Sequence, residues 1–268
     1  MTVDRPDVST HVPDGPVPSS EGGRWLLDLV KVMARLRAPG GCPWDREQTH
    51  QTLGRHLLEE AHELLEAIDR DDDDAIRDEL GDLLLQVVFH AGIAAEEGRW
   101  DVDDVARGLV EKLVHRHPHV FGDVEVSGAE EVLTNWEQLK AEETGGRTGV
   151  DESIPATLPA LARAAKVQRR AAGWGVEWPS REAALAALRE EVEALSDAPD
   201  DPEREIGEVL FAAVAAARKL GVDAETALRR TTGGFAERSE RFLSGSDGEK
   251  GVTDVREDDV RRLFRSDA

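Results

Sequence analysis

Two groups of carboxylates have the type and spacing to hold a divalent cation: Glu59, Glu60 and Glu63, and, sixteen residues beyond Glu63, Glu79 with Asp82. In a helix, residues three apart share a face, so Glu60 aligns with Glu63 and Glu79 with Asp82. Two such helices packed antiparallel would present four hard oxygen donors to one or two Mg2+ or Mn2+ ions. Without a cation or bound protons, carboxylates gathered this closely repel one another.

Both groups lie on segments with helical apolar periodicity. On the first, Leu57, Leu58, Ala61, Leu64, Leu65 and Ile68 form a stripe that Glu60 borders and Glu63 lies beyond. On the second, Ile76, Leu80, Leu83, Leu84, Val87, Val88 and Ala91 form the expected core stripe, while Leu85, Phe89 and Ile93 make the other side apolar too. Leu83 to Ala95 contains no Asp, Glu, Lys or Arg, the pattern of a helix buried all round. Glu79 and Asp82 fall on the side that Phe89 and Ile93 continue. Ionised groups leading into a buried face need a partner or a metal to offset desolvation, which favours a metal site over a solvated face.

The rest of the chain reads as helices and connectors. Trp25 to Leu36 is helical in spacing and stops before the breaker cluster Ala38-Pro39-Gly40-Gly41. A loop with Cys42-Pro43-Trp44-Asp45 then leads to the first carboxylate helix. Further helices are expected over Val102 to His115 and Ala129 to Glu142, separated by His117-Pro118-His119, and strand signals are weak throughout. Residues 1–23 read as a disordered N-terminal tail, 144–155 as a linker and 244–268 as a flexible C-terminal tail, within which Val255 to Phe264 could form a short helix.

A second copy of the central pattern follows the linker. Glu205-Ile206-Gly207-Glu208 echoes Glu79-Leu80-Gly81-Asp82, and Glu190-Glu191-Val192-Glu193-Ala194 echoes Glu59-Glu60-Ala61-His62-Glu63. The copies differ where it matters: Ala194 replaces the third glutamate, and Glu208 carries its charge one methylene further out than Asp82. The first copy, 24–143, is therefore expected to work, and the second, 156–243, to be degenerate.

Composition narrows the partners. Thirty-three Lys and Arg against 56 Asp and Glu give a formal net charge of -23, which opposes a general basic surface for nucleic acid or anionic membrane. There is no Tyr and only six Phe, so stacking platforms for single strands are scarce. A lone cysteine, Cys42, cannot form an internal disulfide, and neither a secretory h-region nor a run of about 18 apolar residues is present. A cytoplasmic protein is expected, without nucleic-acid or membrane partners.

The stretches GCPWDREQTH (41–50), LLEEAHELLEAI (57–68), DELGDLLLQVVFHA (78–91), KLVHRHPHVFGD (112–123) and NWEQLK (135–140) closely resemble the MazG family of nucleoside triphosphate pyrophosphohydrolases. The tandem arrangement extends the resemblance to about Phe242. It implies an all-α protein of two tandem MazG-like helical bundles that hydrolyses a nucleoside triphosphate between its α and β phosphates, giving monophosphate and pyrophosphate. Mg2+ is the implied cofactor, with Mn2+ as a possible substitute, and a homodimer and a housecleaning role in the nucleotide pool are implied as well. Carried over by motif, Glu60, Glu63, Glu79 and Asp82 would ligate metal, Glu59 would orient or deprotonate the attacking water, and Lys112 and Arg116 would hold phosphates. In the second copy Arg238 is a candidate phosphate contact, but Gly233 and Gly234 stand where the family has a lysine.

Other candidates compete with plainer readings. Trp44 could stack on a base or simply anchor its loop. His115, His117 and His119 invite a zinc reading that one cysteine and Pro118 disfavour. Asp71 to Asp74 reads as a solvated turn and fails as a calcium loop, because from Asp69 the glycine position is Asp74 and the last ligand position is Leu80. Glu59-x-x-His62 supplies one element of a di-iron carboxylate bundle, but no second E-x-x-H follows. A non-catalytic helical dimerisation or regulatory scaffold is the remaining alternative.

Overall fold

A computed structural model of the chain describes residues 23–128, 131–132, 135–136, 139, 149–150, 154–197, 200–245 and 255–265. They are all-α, with no strand among the described residues. The chain divides into two compact units, Met1–Gly146 and Arg147–Ala268. The expected helix over Ala129 to Glu142 lies mostly outside the described residues, as does the N-terminal tail.

In the first unit, α1 spans Arg24–Arg37, α2 Pro43–Glu47, α3 His50–Asp69, α4 Asp73–Glu96, α5 Val102–Arg116 and α6 Pro118–Phe121. The breaker cluster is a tight turn rather than a slack one. Gly40 has φ +77°, and a Cβ on Gly41 would lie 2.1 Å from the Leu36 carbonyl oxygen, so only glycine fits there. The Cys42-Pro43-Trp44-Asp45 stretch, expected as a loop, is the short helix α2. Pro43 sits at its first turn, where a fixed φ and a missing N–H cost nothing.

Capping sets the ends of the two carboxylate helices. Thr49 and Thr52 exchange side-chain and backbone hydrogen bonds at the start of α3, at 3.2 and 2.9 Å. Asp72 accepts from the Ala75 N–H at 3.1 Å to start α4, and Asp71 makes the turn between the helices with φ +56°. The Asp71 to Asp74 run is thus an exposed turn and cap.

Met33, Leu53, Val88, Phe89 and Ile93 form the core, closed by Leu29, Val30, Leu36, Leu85 and Val102. Arg37 locks it from one side. It is 8 % exposed and stacks 5.4 Å from the Phe89 ring centroid. Its Nε and Nη2 each donate to Glu96 at 2.8 Å, and Nη1 donates to the Asp45 and Gln48 carbonyls at 2.6 and 3.3 Å. One guanidinium therefore ties the end of α1 to α2 and to the end of α4. A second tie joins α3 to α4. An arginine N–H can only donate, so Arg99 donates to His50 Nε2 at 2.9 Å, which leaves His50 Nδ1–H to donate to His90 Nδ1 at 2.7 Å. Burial, then His50, holds the His90 pKa below its ordinary value, in keeping with this neutral pair.

The expected core stripes are corrected in part. Phe89, Val88, Ala91 and Ile93 are buried, but Leu57, Leu58, Ile68, Leu80, Leu84 and Val87 are exposed, between 40 and 59 %. Helical spacing identifies an apolar face without saying what covers it. Here α1 and the start of α5 cover the C-terminal half of α4 and leave these rows open in the single chain.

The second unit contains α7 (Ala160–Ala172), α8 (Arg181–Ser196), α9 (Pro202–Lys219), α10 (Ala224–Gly245) and α11 (Glu257–Phe264). Ser180 caps α8 and Asp201 caps α9, and the two pair as a hairpin in the manner of α3 and α4. Val214 and Ala184 are buried within this unit, and Gln168 donates to the Phe211 carbonyl at 2.8 Å. The short helix allowed by the sequence over Val255 to Phe264 is α11, held by Phe264 against Phe235 at 4.9 Å between ring centroids.

Removing the carboxylate that neutralises a buried guanidinium leaves its donors unsatisfied. Glu96→Ala should therefore lower the stability of the first unit by about 1–3 kcal/mol, read as an earlier urea unfolding midpoint. An unchanged midpoint would contradict the role given to Arg37.

Candidate metal centre

The α3–α4 hairpin brings together Glu60 from α3 and Glu79 and Asp82 from α4, with ligand-capable oxygens all within 4.8 Å of one another. Glu60 and Glu79 are half-buried and Asp82 is exposed, so the trio opens to solvent on one side. Glu63 is exposed and stands outside the trio, although it is close enough to act on it electrostatically. Glu63 and Glu79 also line a cavity of about 240 Å³ towards the α3–α4 turn, with Arg70 at its rim.

The crowding has a measurable consequence. Desolvation by burial, followed by the charges of Asp82, Glu63 and Glu79, raises the Glu60 pKa. Desolvation, then Glu63, Asp82 and Asp78, raises that of Glu79. A cation would offset the mutual repulsion of these carboxylates. The donor set fits one: Oε2 of Glu79 is buried without a hydrogen-bond partner, and a buried carboxylate oxygen left unsatisfied is costly unless an ion takes the lone pair. Three carboxylates with no nitrogen or sulfur among them suit a hard cation such as Mg2+ or Mn2+.

Glu59 precedes Glu60 on α3 with its side chain largely exposed, and a histidine that spacing had not singled out orients it. His56 Nδ1 donates to Glu59 Oε2 at 3.0 Å, and Arg55 Nε donates to His56 Nε2 at 3.3 Å. The His56 ring meets Trp44 edge-on, centroids 6.0 Å apart. The only sequence signal for this contact is the three-residue separation of His56 and Glu59 on one helix face. Trp44 is 50 % exposed, so it is not the buried loop anchor that the plainer reading held out.

Lys112 is exposed on α5. Arg116, one turn on, is half-buried with its guanidinium 5.2 Å from the Trp136 ring centroid. His117 Nδ1 donates to the Leu113 carbonyl at 2.6 Å and so serves the end of α5. Among the described residues, no histidine joins a group of three potential metal ligands, which disfavours the zinc and di-iron readings, and His62 is exposed.

Residues 48–121 match the family model described as the MazG nucleotide pyrophosphohydrolase domain. The matched segment contains the whole α3–α4 trio together with Glu59, Lys112 and Arg116. A Thermotoga maritima protein named nucleoside triphosphate pyrophosphohydrolase/pyrophosphatase MazG is 44% identical over 226 residues, covering 83% of this chain and 87% of the relative. A nucleoside triphosphate pyrophosphohydrolase of Escherichia coli strain K12 is 44% identical over 220 residues, 78% of this chain and 84% of the relative. One of Mycobacterium tuberculosis, with the same name, is 46% identical over 156 residues, 58% of this chain and 47% of the relative. The chain belongs to the MazG family.

The raised carboxylate pKa values carry a sign. A carboxyl whose pKa is higher in the folded than in the unfolded chain favours folding when protonated, so metal-free stability falls as pH rises from the ordinary 4.5 through the raised value. In chelator at pH 7, Glu79→Gln should therefore raise the melting temperature of the first unit, and the gain should disappear below about pH 4. Destabilisation by Glu79→Gln at pH 7 in chelator would contradict the crowding described here.

Proposed function

We propose that this chain is a nucleoside triphosphate pyrophosphohydrolase, converting ribo- or deoxyribonucleoside triphosphates to monophosphates and pyrophosphate with Mg2+, or Mn2+ as substitute, held in the first unit. The observation that carries the reading is the convergence of Glu60, Glu79 and Asp82 around an orphaned Glu79 oxygen, in a member of the MazG family. Glu60, Glu79 and Asp82, with Glu63 as the fourth carboxylate, would hold the cation. When bound, the cation would neutralise phosphate charge and lower the pKa of a coordinated water.

The chain's own groups supply the remaining chemistry. Glu59, oriented by His56, accepts a proton from the attacking water as the α–β anhydride bond breaks and pyrophosphate leaves. Lys112 and Arg116, on one face of α5, meet the phosphate charge, and Trp44 offers a ring to the base. So acidic a protein could then hold a polyanion, because the carboxylates would hold a cation that neutralises part of its charge and Lys112 and Arg116 would meet the rest.

The same reading covers the finer organisation. The first domain, 24–143, is the working copy, and 156–243, after a linker at 144–155, is a degenerate one. The open rows at Leu57, Leu58, Leu80, Leu84 and Val87 are the surface a homodimer would bury. Cys42 as a lone cysteine suits a cytoplasmic enzyme, for which nucleotide-pool housecleaning is the fitting role. No helix among the described residues is long and apolar enough to cross a membrane.

Incubation with each common ribo- and deoxyribonucleoside triphosphate and Mg2+, followed by phosphorus NMR, should show monophosphate and pyrophosphate, abolished by chelation. Glu59→Gln should lower kcat about 10²–10⁴-fold while leaving folding intact. Diphosphate with orthophosphate as products, or full activity in Glu59→Gln, would overturn the assignment.

A further inference from the structure

The second unit also gathers three carboxylates, Glu191 from α8 with Glu205 and Glu208 from α9, their oxygens within 4.8 Å of one another. Glu205 is only 7 % exposed, so by geometry and burial alone this trio is at least as well formed as the first. What differs is where the local positive charge sits.

Immediately before Glu205 stands Arg204, at the place that Asp78 holds before Glu79. Its guanidinium reaches both α9 members of the trio: Nη2 pairs with Glu205 Oε1, and Nη1 donates to Glu208 Oε1 at 2.8 Å. Arginine stays protonated at any working pH, and its planar fork occupies carboxylate oxygens that would otherwise be open to a metal. Among the described residues the first unit has no such arrangement. Its neighbouring arginine, Arg77, pairs with Asp74 at 3.0 Å and with Asp78 at 3.5 Å, neither of them a member of the trio, and Oε2 of Glu79 is left unpartnered.

Two further features point the same way. Ala194 offers no oxygen where the first copy has Glu63. Arg238, the candidate phosphate contact of this copy, donates from Nε to the Leu263 carbonyl at 3.0 Å and so holds α11. Arg204 and Arg238 thus both serve the protein's own groups.

We infer that Arg204 is a built-in counter-ion that closes the second trio to divalent metal, so that the chain holds its metal in the first unit alone. The inference rests on the metal-site reading of the first unit, but Arg204 can be tested independently of it. With Arg204 in place, the second trio keeps its carboxylates together without an external cation, and metal entry requires the guanidinium to be displaced from two carboxylates at once. Replacing it with a neutral side chain leaves three carboxylates facing one another, as in the first unit.

The test is Mn2+ binding to the full chain, followed by the loss of the free-ion electron paramagnetic resonance signal, with circular dichroism to check helicity. Glu79→Gln should abolish tight binding. Adding Arg204→Gln to it should restore binding by about tenfold or more, and Glu205→Gln should remove it again. Arg204→Lys, which keeps the charge, should restore little. Binding that survives Glu79→Gln but is lost with Glu205→Gln while Arg204 is present would overturn the inference, as would an Arg204→Gln variant that gains nothing. If Glu79→Gln leaves binding untouched, the first-unit reading fails, and Arg204 is still judged by whether its removal creates a Glu205-dependent site.

Discussion

Everything about the first unit depends on holding like charges together. Glu60, Glu79 and Asp82 repel one another, and the hairpin that gathers them is kept closed by contacts away from the carboxylates: the neutral His50–His90 pair between α3 and α4, and the buried Arg37 that fastens α4 to α1 and α2. This framing holds the acidic end together although its carboxylates repel one another. The raised pKa values of Glu60 and Glu79 are the mark of that crowding.

The two units show two solutions to the same crowding. In the first, no lysine or arginine among the described residues pairs with Glu79 or Asp82, and Oε2 of Glu79 is orphaned. In the second, Arg204 supplies the positive charge from within the same helix. A single position, Asp78 in one hairpin and Arg204 in the other, reverses the local electrostatics while leaving helix geometry alone, because both residues sit on exposed helix surface. Fold and chemistry can therefore part company within one chain.

Much of this was legible in the sequence, for physical reasons that also explain the rest. Helix positions and the shared face of Glu79 with Asp82 follow from local spacing, since a helix fixes which residues share a face. Glu63 shows the limit of that rule, for it shares the face and yet stands outside the trio. Spacing also cannot say which apolar face is covered, so Leu57, Leu80 and Leu84 read as core and are exposed. Arg37 reads as an ordinary basic residue at a helix end, and its partner Glu96 lies 59 residues away. His56 was hidden for a different reason: a histidine one turn before a glutamate is common on solvated faces, and only its contact with Trp44 as well as Glu59 sets it apart.

The most direct measurement of the central claim is an anomalous difference map from crystals of the full chain soaked in Mn2+. A peak bounded by Glu60, Glu79 and Asp82 in the first unit is the predicted result. Manganese bound elsewhere, with that trio empty at saturating Mn2+, would contradict the account.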